Sequence, residues 1–197
     1  ETFSNVLGIE LNYVFTCDFD SFQKIIDKIG EVNVQMSTSE ADGYPFLKDP
    51  EFRNSKDSQI SGLYHFDGSQ SLTFVSWPKD AVPDFDRLRR MQLYIFSFAN
   101  QYVDNQSLLK FNTINNVLTV SEENIRTNMQ IWEIKKIVDI GEKIPFENVH
   151  QHRLTTDPND EGGLLRESHY FNTTYNPIAG DTDFSQIHAW AEKIINN

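Results

Sequence analysis

The stretch YVFTCDFDSFQKIIDKIGEVNV, residues 13–34, carries in turn the signals of a strand, a helix and a second strand. It opens on aromatic and β-branched residues, which favour a strand, and Asp18 or Asp20 can cap the helix that follows. Four apolar residues then recur at helical spacing: Phe22, Ile25, Ile26 and Ile29. Gly30 suits the position just after a helix, and VNVQM alternates as a half-buried strand does. We therefore predict a compact α/β unit with a parallel crossover between its strands.

The length and charge of the chain limit what it can bind. Its 197 residues suit one domain with a sizeable core, so we take residues 1–197 as a single domain. Lys and Arg number 17 against 29 Asp and Glu, which gives a formal net charge of −12. Because nonspecific binding to nucleic acid or to an anionic membrane needs a positive field, the charge argues against both. An anionic ligand would have to be bound by a local cluster of cations.

The sequence shows no sign of a disulfide framework or of a membrane span. Cys17 is the one cysteine, so no internal disulfide bond can form. No apolar run approaches the roughly 18 residues that cross a bilayer, and the chain opens at Glu1 without the charged and apolar regions of a signal peptide. We expect a soluble domain, with any membrane anchor outside this chain.

The stretch DFDRLRRMQ, residues 84–92, places three arginines within four positions of an acidic chain. Pro83 precedes the stretch and Asp84 is well placed as an N-cap residue. We therefore predict a long helix from Phe85 to about Val103. The predicted core face of this helix follows from the helical spacing of six residues: Leu88, Met91, Ile95, Phe98, Ala99 and Tyr102.

The three arginines are not equivalent on this helix. Arg87, Arg90 and Tyr94 fall together along one edge of the predicted core face, whereas Arg89 points to the opposite side. Arg87 and Arg90 can bind an anion, since guanidinium groups and the free backbone N–H groups of a helix's first turn both attract phosphate. They can equally pair with nearby acidic residues such as Asp86 and tie the helix to the sheet.

The remaining segments carry weaker signals. Residues 37–59 are polar and rich in turn residues, which indicates a surface loop. Four further helices are predicted: Ser69–Leu72, Gln106–Asn116, one that begins at SEEN (residues 121–124), and a last helix from about Phe184 to Ile195. A short strand, Leu72–Trp77, is expected to follow the first of these.

Three segments, in their order and separation, resemble the LytR-CpsA-Psr (LCP) family of cell-envelope proteins. Residues 13–34 are similar to the family's D-F-x-x-F and V-D-x-x-G-G-V elements, with Asp27 and Gly30 matching and Glu31 in place of the second glycine. HFDGSQSLTFV resembles L-x-G-x-Q-A-L-x-Y-V through four residues: Gly68, Gln70, Leu72 and Val75. DFDRLRRMQ resembles D-F-G-R-x-x-R-Q-Q through five: Asp84, Phe85, Arg87, Arg90 and Gln92. The match covers about residues 5–105.

The resemblance implies an α/β fold with a mixed, mostly parallel central sheet flanked by helices in three layers. Family members transfer a glycopolymer, such as a teichoic acid or a capsule, from a polyprenyl pyrophosphate carrier to peptidoglycan through a phosphodiester. They act at the outer face of the cytoplasmic membrane. The resemblance therefore implies a cell-surface location, with the membrane reached through a segment outside this chain.

The resemblance also implies roles for individual residues. Arg87 and Arg90 would be phosphate clamps, Asp84 would hold them, and Gln92 would share the binding site. Mg²⁺ is implied as an assisting metal, without any ligands that the sequence identifies. An apolar tunnel would hold the lipid, and its candidate lining residues are Phe19, Phe22, Phe74, Phe96 and Phe98. These aromatic residues would serve equally well in an ordinary core.

Two departures from the family pattern bear on catalysis. Where the family has a second arginine pair, R-x-R, this chain has Ser76, Trp77 and Pro78, and neither Ser nor Pro offers a charged fork of donors. The family's domain also begins upstream of the counterpart of Glu1, and the upstream part carries a functional Arg and acidic residues. The transferase is the leading prediction. The alternatives are a noncatalytic module that binds polyprenyl phosphate or acts as an envelope scaffold, and an unrelated domain whose arginines only make ion pairs.

Other polar residues are weaker candidates, each with an ordinary structural alternative. Lys79 could supply another cation or be a solvated loop residue, and Asp27 is expected to be structural. His150 and His152 form an H-x-H half-site for a metal, although loop histidines are the simpler interpretation. DPNDEGG, residues 157–163, is oxygen-rich but lacks the order of a calcium loop, so we expect an acidic turn. Nucleophile-elbow, P-loop, dinucleotide-binding and zinc-protease motifs do not occur in the sequence.

Overall fold

A computed structural model describes most of the chain. It covers residues 2–49, 52, 62–77, 85–103, 125–141, 143–145, 148–167 and 175–196. These residues form seven α-helices: α1 (Thr2–Leu7), α2 (Phe19–Ile29), α3 (Thr38–Asp42), α4 (Gly68–Ser76), α5 (Phe85–Val103), α6 (Ile131–Gly141) and α7 (Ser185–Ile195). They also form six strands: β1 (Phe15–Cys17), β2 (Val32–Gln35), β3 (Leu63–Phe66), β4 (Ile125–Thr127), β5 (Leu165–Glu167) and β6 (Tyr175–Pro177). The predicted helix Gln106–Asn116 lies outside the described residues.

The chain packs as two compact units. The larger unit consists of Phe15–Pro78 and Asp86–Val149, and the smaller unit consists of Glu1–Val14, Lys79–Phe85 and His150–Asn197. In the larger unit, α2 packs against α4, and β1–β4 and β2–β3 form two pairs of strands. In the smaller unit, α1 packs against α7 and β5 pairs with β6. The single domain over residues 1–197 stays a prediction.

Residues 13–34 fold largely as predicted. Asp18 caps α2, since its carboxylate accepts a hydrogen bond from the backbone N–H of Ser21 at 2.8 Å. Gly30 ends the helix with φ at 122°, in a region that L side chains rarely adopt, and its N–H donates to Ile26 O. The alternating residues of the following strand are buried: Val32, Val34 and Met36. The helix and the second strand are therefore confirmed.

The α/β class is confirmed, but the direction of the strands differs from the prediction. All three pairs among the described strands are antiparallel, whereas the prediction was a mostly parallel sheet. β1 and β2 do not pair with each other; β1 pairs with β4, and β2 pairs with β3. The chain turns back between β2 and β3, where Met36 N–H donates to Gly62 O at 2.8 Å, so β3 runs against β2. The predicted crossover required β1 and β2 to lie in one sheet, and among the described strands each of them pairs with a different, antiparallel partner.

Two element predictions in the larger unit were wrong in detail. The predicted short helix and strand over residues 69–77 are one helix, α4. Its start is fixed by a capping box, in which Asp67 accepts from Gln70 N–H and the Gln70 side chain accepts from Asp67 N–H. The helix predicted from residues 121–124 is instead the strand β4 followed by α6, because β4 gains a partner in β1.

The predicted surface loop contributes to the core. Within residues 37–59, α3 is followed by a 3-10 helix at Pro45–Lys48, and Tyr44, Phe46 and Leu47 are all buried. The core around them is mainly aromatic. The Phe66 and Phe74 ring centroids lie 4.9 Å apart, and Phe46 contacts Phe74 edge-on at 6.2 Å. Polar composition alone concealed this contribution, since the apolar residues are interspersed with turn residues.

The helices of the described ranges share one further property. None of them combines the length and the apolarity that a membrane crossing requires.

The last helix, α7, was predicted from Phe184 to Ile195, and it forms at Ser185–Ile195. In the smaller unit, the ring of His188 on α7 lies with Nε2 2.8 Å from Asn5 O of α1.

Candidate functional site

The helix α5 forms over the predicted range, Phe85–Val103, but its buried face agrees only in part with the predicted one: Phe98 of that face packs against the core. The prediction placed Leu88, Met91 and Ile95 in the core, and these side chains are 46%, 38% and 61% exposed. Among the residues of the helix whose side chains the structure describes, Arg90, 1% exposed, and Tyr94, 3% exposed, are buried. The hydrophobic pattern misplaced the face because it scores an arginine as a surface residue, whatever partners the fold supplies.

The guanidinium group of Arg90 is directed into the larger unit. Its Nε donates to Phe74 O at 2.8 Å, and one terminal nitrogen donates to Trp77 O. The other terminal nitrogen donates to the carboxylate of Asp86, one turn earlier in α5, at 2.5 Å. Phe74 and Trp77 lie at the C-terminal end of α4, where backbone carbonyls lack partners within the helix and a cation is favoured. Arg90 therefore caps α4 and forms a nearly buried ion pair.

Tyr44 and Asp86 complete the surroundings of Arg90. The central carbon of the guanidinium lies 5.2 Å from the centroid of the Tyr44 ring, a cation–π distance. The Tyr44 hydroxyl donates to the second carboxylate oxygen of Asp86 at 3.2 Å. Burial raises the pKa of Tyr44, and the neighbouring charge of Asp86 raises it further. We refer to Tyr44, Asp86, Arg90 and the carbonyls of Phe74 and Trp77 as the Arg90 cluster.

Arg89 makes a different kind of contact on the surface. Its guanidinium pairs with Glu40, and the two side chains are 48% and 32% exposed. Glu40 also closes the capping box of α3 by accepting hydrogen bonds from the backbone and the hydroxyl of Ser37. These hydrogen bonds first, and the charge of Arg89 second, hold the pKa of Glu40 below its usual range. The predicted separation of Arg89 from Arg90 is confirmed by these partners.

Arg87 stands on the exposed side of the first turn of α5. It lies three residues before Arg90, so the structure separates the two predicted phosphate clamps into one exposed and one buried guanidinium. Gln92 is partly buried on the same helix, and Asp84 lies outside the described residues. The binding roles of Arg87, Arg90, Asp84 and Gln92 stay predictions.

Two other segments of the family resemblance meet each other in the structure. The carboxylate of Asp27 on α2 accepts a hydrogen bond from Gly68 N–H, the first residue of α4, at 2.9 Å. A Cβ on Gly68 would lie 2.5 Å from the same Asp27 oxygen, so the close approach of the two helices requires a glycine. Asp27 therefore has a structural role, as expected, and it acts through the backbone N–H of Gly68.

Ser76 and Trp77, in the segment where the family has its second arginine pair, make local contacts. The Ser76 hydroxyl donates to Leu72 O, one turn earlier in α4, at 2.6 Å. The Trp77 ring lies 5.0 Å from the Phe46 ring, and its carbonyl belongs to the Arg90 cluster. Pro78 lies outside the described residues. Of the predicted tunnel residues, Phe74 is fully buried in the aromatic core and Phe19 is 68% exposed.

The candidates in the smaller unit are ordinary surface features. His152 lies with Nδ1 3.9 Å from the carboxylate of Glu161, and His150 is exposed. Asp157 accepts hydrogen bonds from the backbone and the side chain of Asn159, as in a turn, which is the structure expected for residues 157–163. Within the described part of the chain, no three His, Cys, Asp or Glu side chains are grouped as a metal site would require.

Solved structures share the fold of this chain. The crystal structure of Bacillus subtilis TagV superposes with a TM-score of 0.60, at 20% identity, over 100% of this chain and 67% of that chain. The structure of Lin1025 from Listeria innocua gives a TM-score of 0.62, at 16% identity, over 97% and 73%. At these identities the likeness concerns the fold alone. The likeness supports the α/β fold class of this chain.

A model of the LytR_cpsA_psr family matches residues 1–179, so the chain belongs to the LytR-CpsA-Psr family. The polyisoprenyl-teichoic acid–peptidoglycan teichoic acid transferase TagU of Bacillus licheniformis is 25% identical over 169 residues, 83% of this chain and 49% of TagU. The transferase TagV of Bacillus subtilis is 26% identical over 137 residues, 68% of this chain and 32% of TagV. The chain thus spans half or less of the length of these relatives.

Sequence reasoning missed most of the Arg90 cluster. One signal was present, since Asp86 and Arg90 have the i, i+4 spacing of a helical ion pair. Tyr44 lies 42 residues before Asp86, and the two acceptor carbonyls belong to the backbone of α4. Neither the distant Tyr44 nor the backbone carbonyls of α4 can be inferred from the residue pattern of α5.

Proposed function

We propose that this chain is part of a cell-envelope transferase that joins a glycopolymer, carried on a polyprenyl pyrophosphate, to peptidoglycan. The observation that carries the proposal is the family match over residues 1–179. Relatives at about one-quarter identity are named as teichoic acid transferases acting between a polyisoprenyl-linked polymer and peptidoglycan. The location at the outer face of the cytoplasmic membrane, and an anchor in a segment outside this chain, are parts of the same proposal.

The proposed reaction is a phosphoryl transfer. A hydroxyl oxygen of peptidoglycan attacks the phosphorus that bears the glycopolymer, and a new P–O bond forms. The P–O bond to the second phosphate breaks, which releases polyprenyl phosphate with the bonding electron pair, and the hydroxyl proton passes to a base or to water. Negative charge on the phosphoryl oxygens has to be stabilised throughout, mainly by positioned cations.

Arg87 is the residue of this chain that we propose for the first contact with the pyrophosphate. Its side chain is exposed at the first turn of α5, where the helix dipole also favours an anion. A planar guanidinium can bind two phosphate oxygens at once. Asp84 and Gln92 keep the supporting roles that the family pattern gives them, as proposals. Mg²⁺ also remains a proposal, and no step of the reaction is assigned here to a metal held by the described residues.

A second candidate function is a noncatalytic LCP module that binds the lipid carrier without transferring the polymer. The observation that favours it is the replacement of the family's R-x-R pair by Ser76 and Pro78, with Trp77 between them. The Ser76 hydroxyl is engaged in a hydrogen bond within α4, and neither a serine nor a proline offers a cation to a phosphate. The two candidates share the binding step and differ only in the transfer step.

A transfer assay separates the two candidates. The chain is incubated with a radiolabelled polyprenyl-pyrophosphate-linked teichoic acid and with purified peptidoglycan, and label bound covalently to peptidoglycan is counted. A matched sample carries Arg87→Ala. The transferase predicts label in peptidoglycan that depends on Arg87. Binding of the labelled lipid without transfer supports the noncatalytic module, and absence of both transfer and binding contradicts both candidates.

A further inference from the structure

We propose that Arg90 is a positioning residue: it fixes the first turn of α5 onto the end of α4 and onto Tyr44, and thereby sets where Arg87 presents its guanidinium. The inference rests on the proposed binding of a pyrophosphate by Arg87. It assigns to Arg90 a role different from direct contact with the ligand.

The Arg90 side chain is buried and is directed into the larger unit. At 1% exposure, its guanidinium offers almost no surface to a ligand. Nε and both terminal nitrogens donate to protein acceptors, namely Phe74 O, Trp77 O and the carboxylate of Asp86. One face of the guanidinium is turned to the Tyr44 ring at 5.2 Å. The positive charge is already matched by a carboxylate inside the protein.

The partners of Arg90 come from separate parts of the chain. Phe74 and Trp77 belong to the end of α4, Tyr44 precedes the 3-10 helix, and Asp86 belongs to α5 itself. Asp86 is also held by the Tyr44 hydroxyl at 3.2 Å. A single planar group with fixed donor directions thus joins three segments, a task for which the flexible ammonium of lysine is poorly suited.

The Arg90 cluster adjoins Arg87 on α5. Arg87 follows Asp86 directly and precedes Arg90 by three residues, so it lies on the helical turn that both residues fix. Arg87 belongs to the first turn of α5, so a displacement of that turn would displace the Arg87 side chain with it. Because phosphate recognition by a guanidinium needs a defined orientation, loosening the cluster should weaken binding through Arg87.

A double-mutant cycle tests the connection. The affinity for farnesyl pyrophosphate and for inorganic pyrophosphate is measured by titration calorimetry for the wild type, Arg90→Lys, Arg87→Ala and the double variant. We expect Arg90→Lys to weaken binding about tenfold, equivalent to about 1.4 kcal/mol. In the Arg87→Ala background the same change should have less than a twofold effect, since the two residues act as one unit. Equal and additive losses would mean that Arg90 contacts the ligand itself, and would overturn the inference.

A ligand-free measurement tests the cluster independently of the proposed function. Hydrogen exchange is followed at the Trp77 N–H, which donates to Thr73 O at 2.9 Å, and at the Gly30 N–H as a reference far from Arg90 in sequence. Arg90→Lys should accelerate exchange at Trp77 at least tenfold and leave Gly30 unchanged. Tyr44→Phe, which removes one hydroxyl, should give a smaller acceleration at the same site and serves if Arg90→Lys does not fold. Unchanged exchange at Trp77 in the folded variant overturns the inference. Failure of the wild type to bind pyrophosphate, with accelerated exchange at Trp77, would instead reject only the role of Arg87.

Discussion

Replacing Arg90 by methionine should destabilise the larger unit far more than replacing Arg89. Methionine fills a similar volume, so the change removes the donors and the charge and leaves little cavity. It leaves the Asp86 carboxylate without its cation, and the Phe74 and Trp77 carbonyls without a donor. Breaking a buried ion pair by removing one partner costs about 3–5 kcal/mol. Asp86 is 24% exposed and can recover some hydration, so we expect about 3 kcal/mol, the lower end of that range.

The measurement is urea unfolding followed by tryptophan fluorescence and circular dichroism, together with a thermal scan. For a chain of this size a loss of about 3 kcal/mol corresponds to a fall in Tm of roughly 6–12 °C. Arg89→Met is the matched control, because the Arg89–Glu40 pair is largely exposed and such pairs contribute about 0–1 kcal/mol. Equal losses for the two variants, or a loss below about 1 kcal/mol for Arg90→Met, would refute the reasoning that Arg90 is held by buried partners.

Three further changes test the packing around this region. Gly68→Ala should cost about 1–3 kcal/mol, because the new Cβ lies 2.5 Å from the Asp27 carboxylate, whereas Gly180→Ala meets only an ordinary contact at 3.4 Å and should be neutral. Asp27→Ala should cost about 1–3 kcal/mol by leaving the Gly68 N–H without an acceptor, and Asp27→Asn should restore most of it. Glu40→Gln tests a pH dependence: the pKa of Glu40 is lowered from 4.5, so its ionised form stabilises the fold above about pH 4.5 and this stabilisation is lost as the pH falls through the lowered pKa. The difference in unfolding free energy between the wild type and Glu40→Gln should therefore shrink below about pH 4.5.

Each of these expectations has a contradicting outcome in the same unfolding assay. A neutral Gly68→Ala, or an Asp27→Asn as unstable as Asp27→Ala, would show that α2 and α4 do not approach each other as described. If the difference in unfolding free energy between the wild type and Glu40→Gln grew as the pH fell, the expected pH dependence would be wrong.

Two of the three arginines of the acidic chain have different carboxylate partners. Arg90 is matched by Asp86 inside the larger unit, and Arg89 is matched by Glu40 on its surface. Arg87 occupies the remaining side of the same turn, which is where we propose that the pyrophosphate binds. A cluster that looks redundant in the sequence therefore contains one capping residue, one surface pair and one proposed ligand contact.

Local sequence patterns predicted the elements whose causes are local. The start of α2 at Asp18 and its end at Gly30 follow from caps and from apolar spacing within a few residues, and the range of α5 agrees with its prediction. The strand β4 at Ile125–Thr127 could not be found in this way, since it forms by pairing with a segment about 110 residues earlier. The pairing direction of β2 is likewise decided by the return of the chain at Gly62.

The helix that carries the candidate site was predicted, but the arrangement of the side chains in the site was not. The family pattern directed attention to Arg87 and Arg90, and helical geometry separated both from Arg89. Geometry along one helix could not show that Arg90 is buried, because the acceptors of its hydrogen bonds are carbonyls of another helix. A hydrophobicity pattern treats a buried, fully paired arginine as a surface residue, and it consequently assigned Leu88, Met91 and Ile95 to a core face that they do not form.

The central claim is that this chain binds a lipid pyrophosphate through Arg87. The most direct measurement is the affinity for farnesyl pyrophosphate by titration calorimetry, with the wild type, Arg87→Ala and Arg89→Ala compared in one buffer. The two variants lose the same charge from the same helical turn, so only the position of the cation differs between them. Arg87→Ala should weaken binding at least tenfold, about 1.4 kcal/mol, and Arg89→Ala should remain within twofold of the wild type. Wild-type affinity in Arg87→Ala, or equal losses in both variants, would contradict the account.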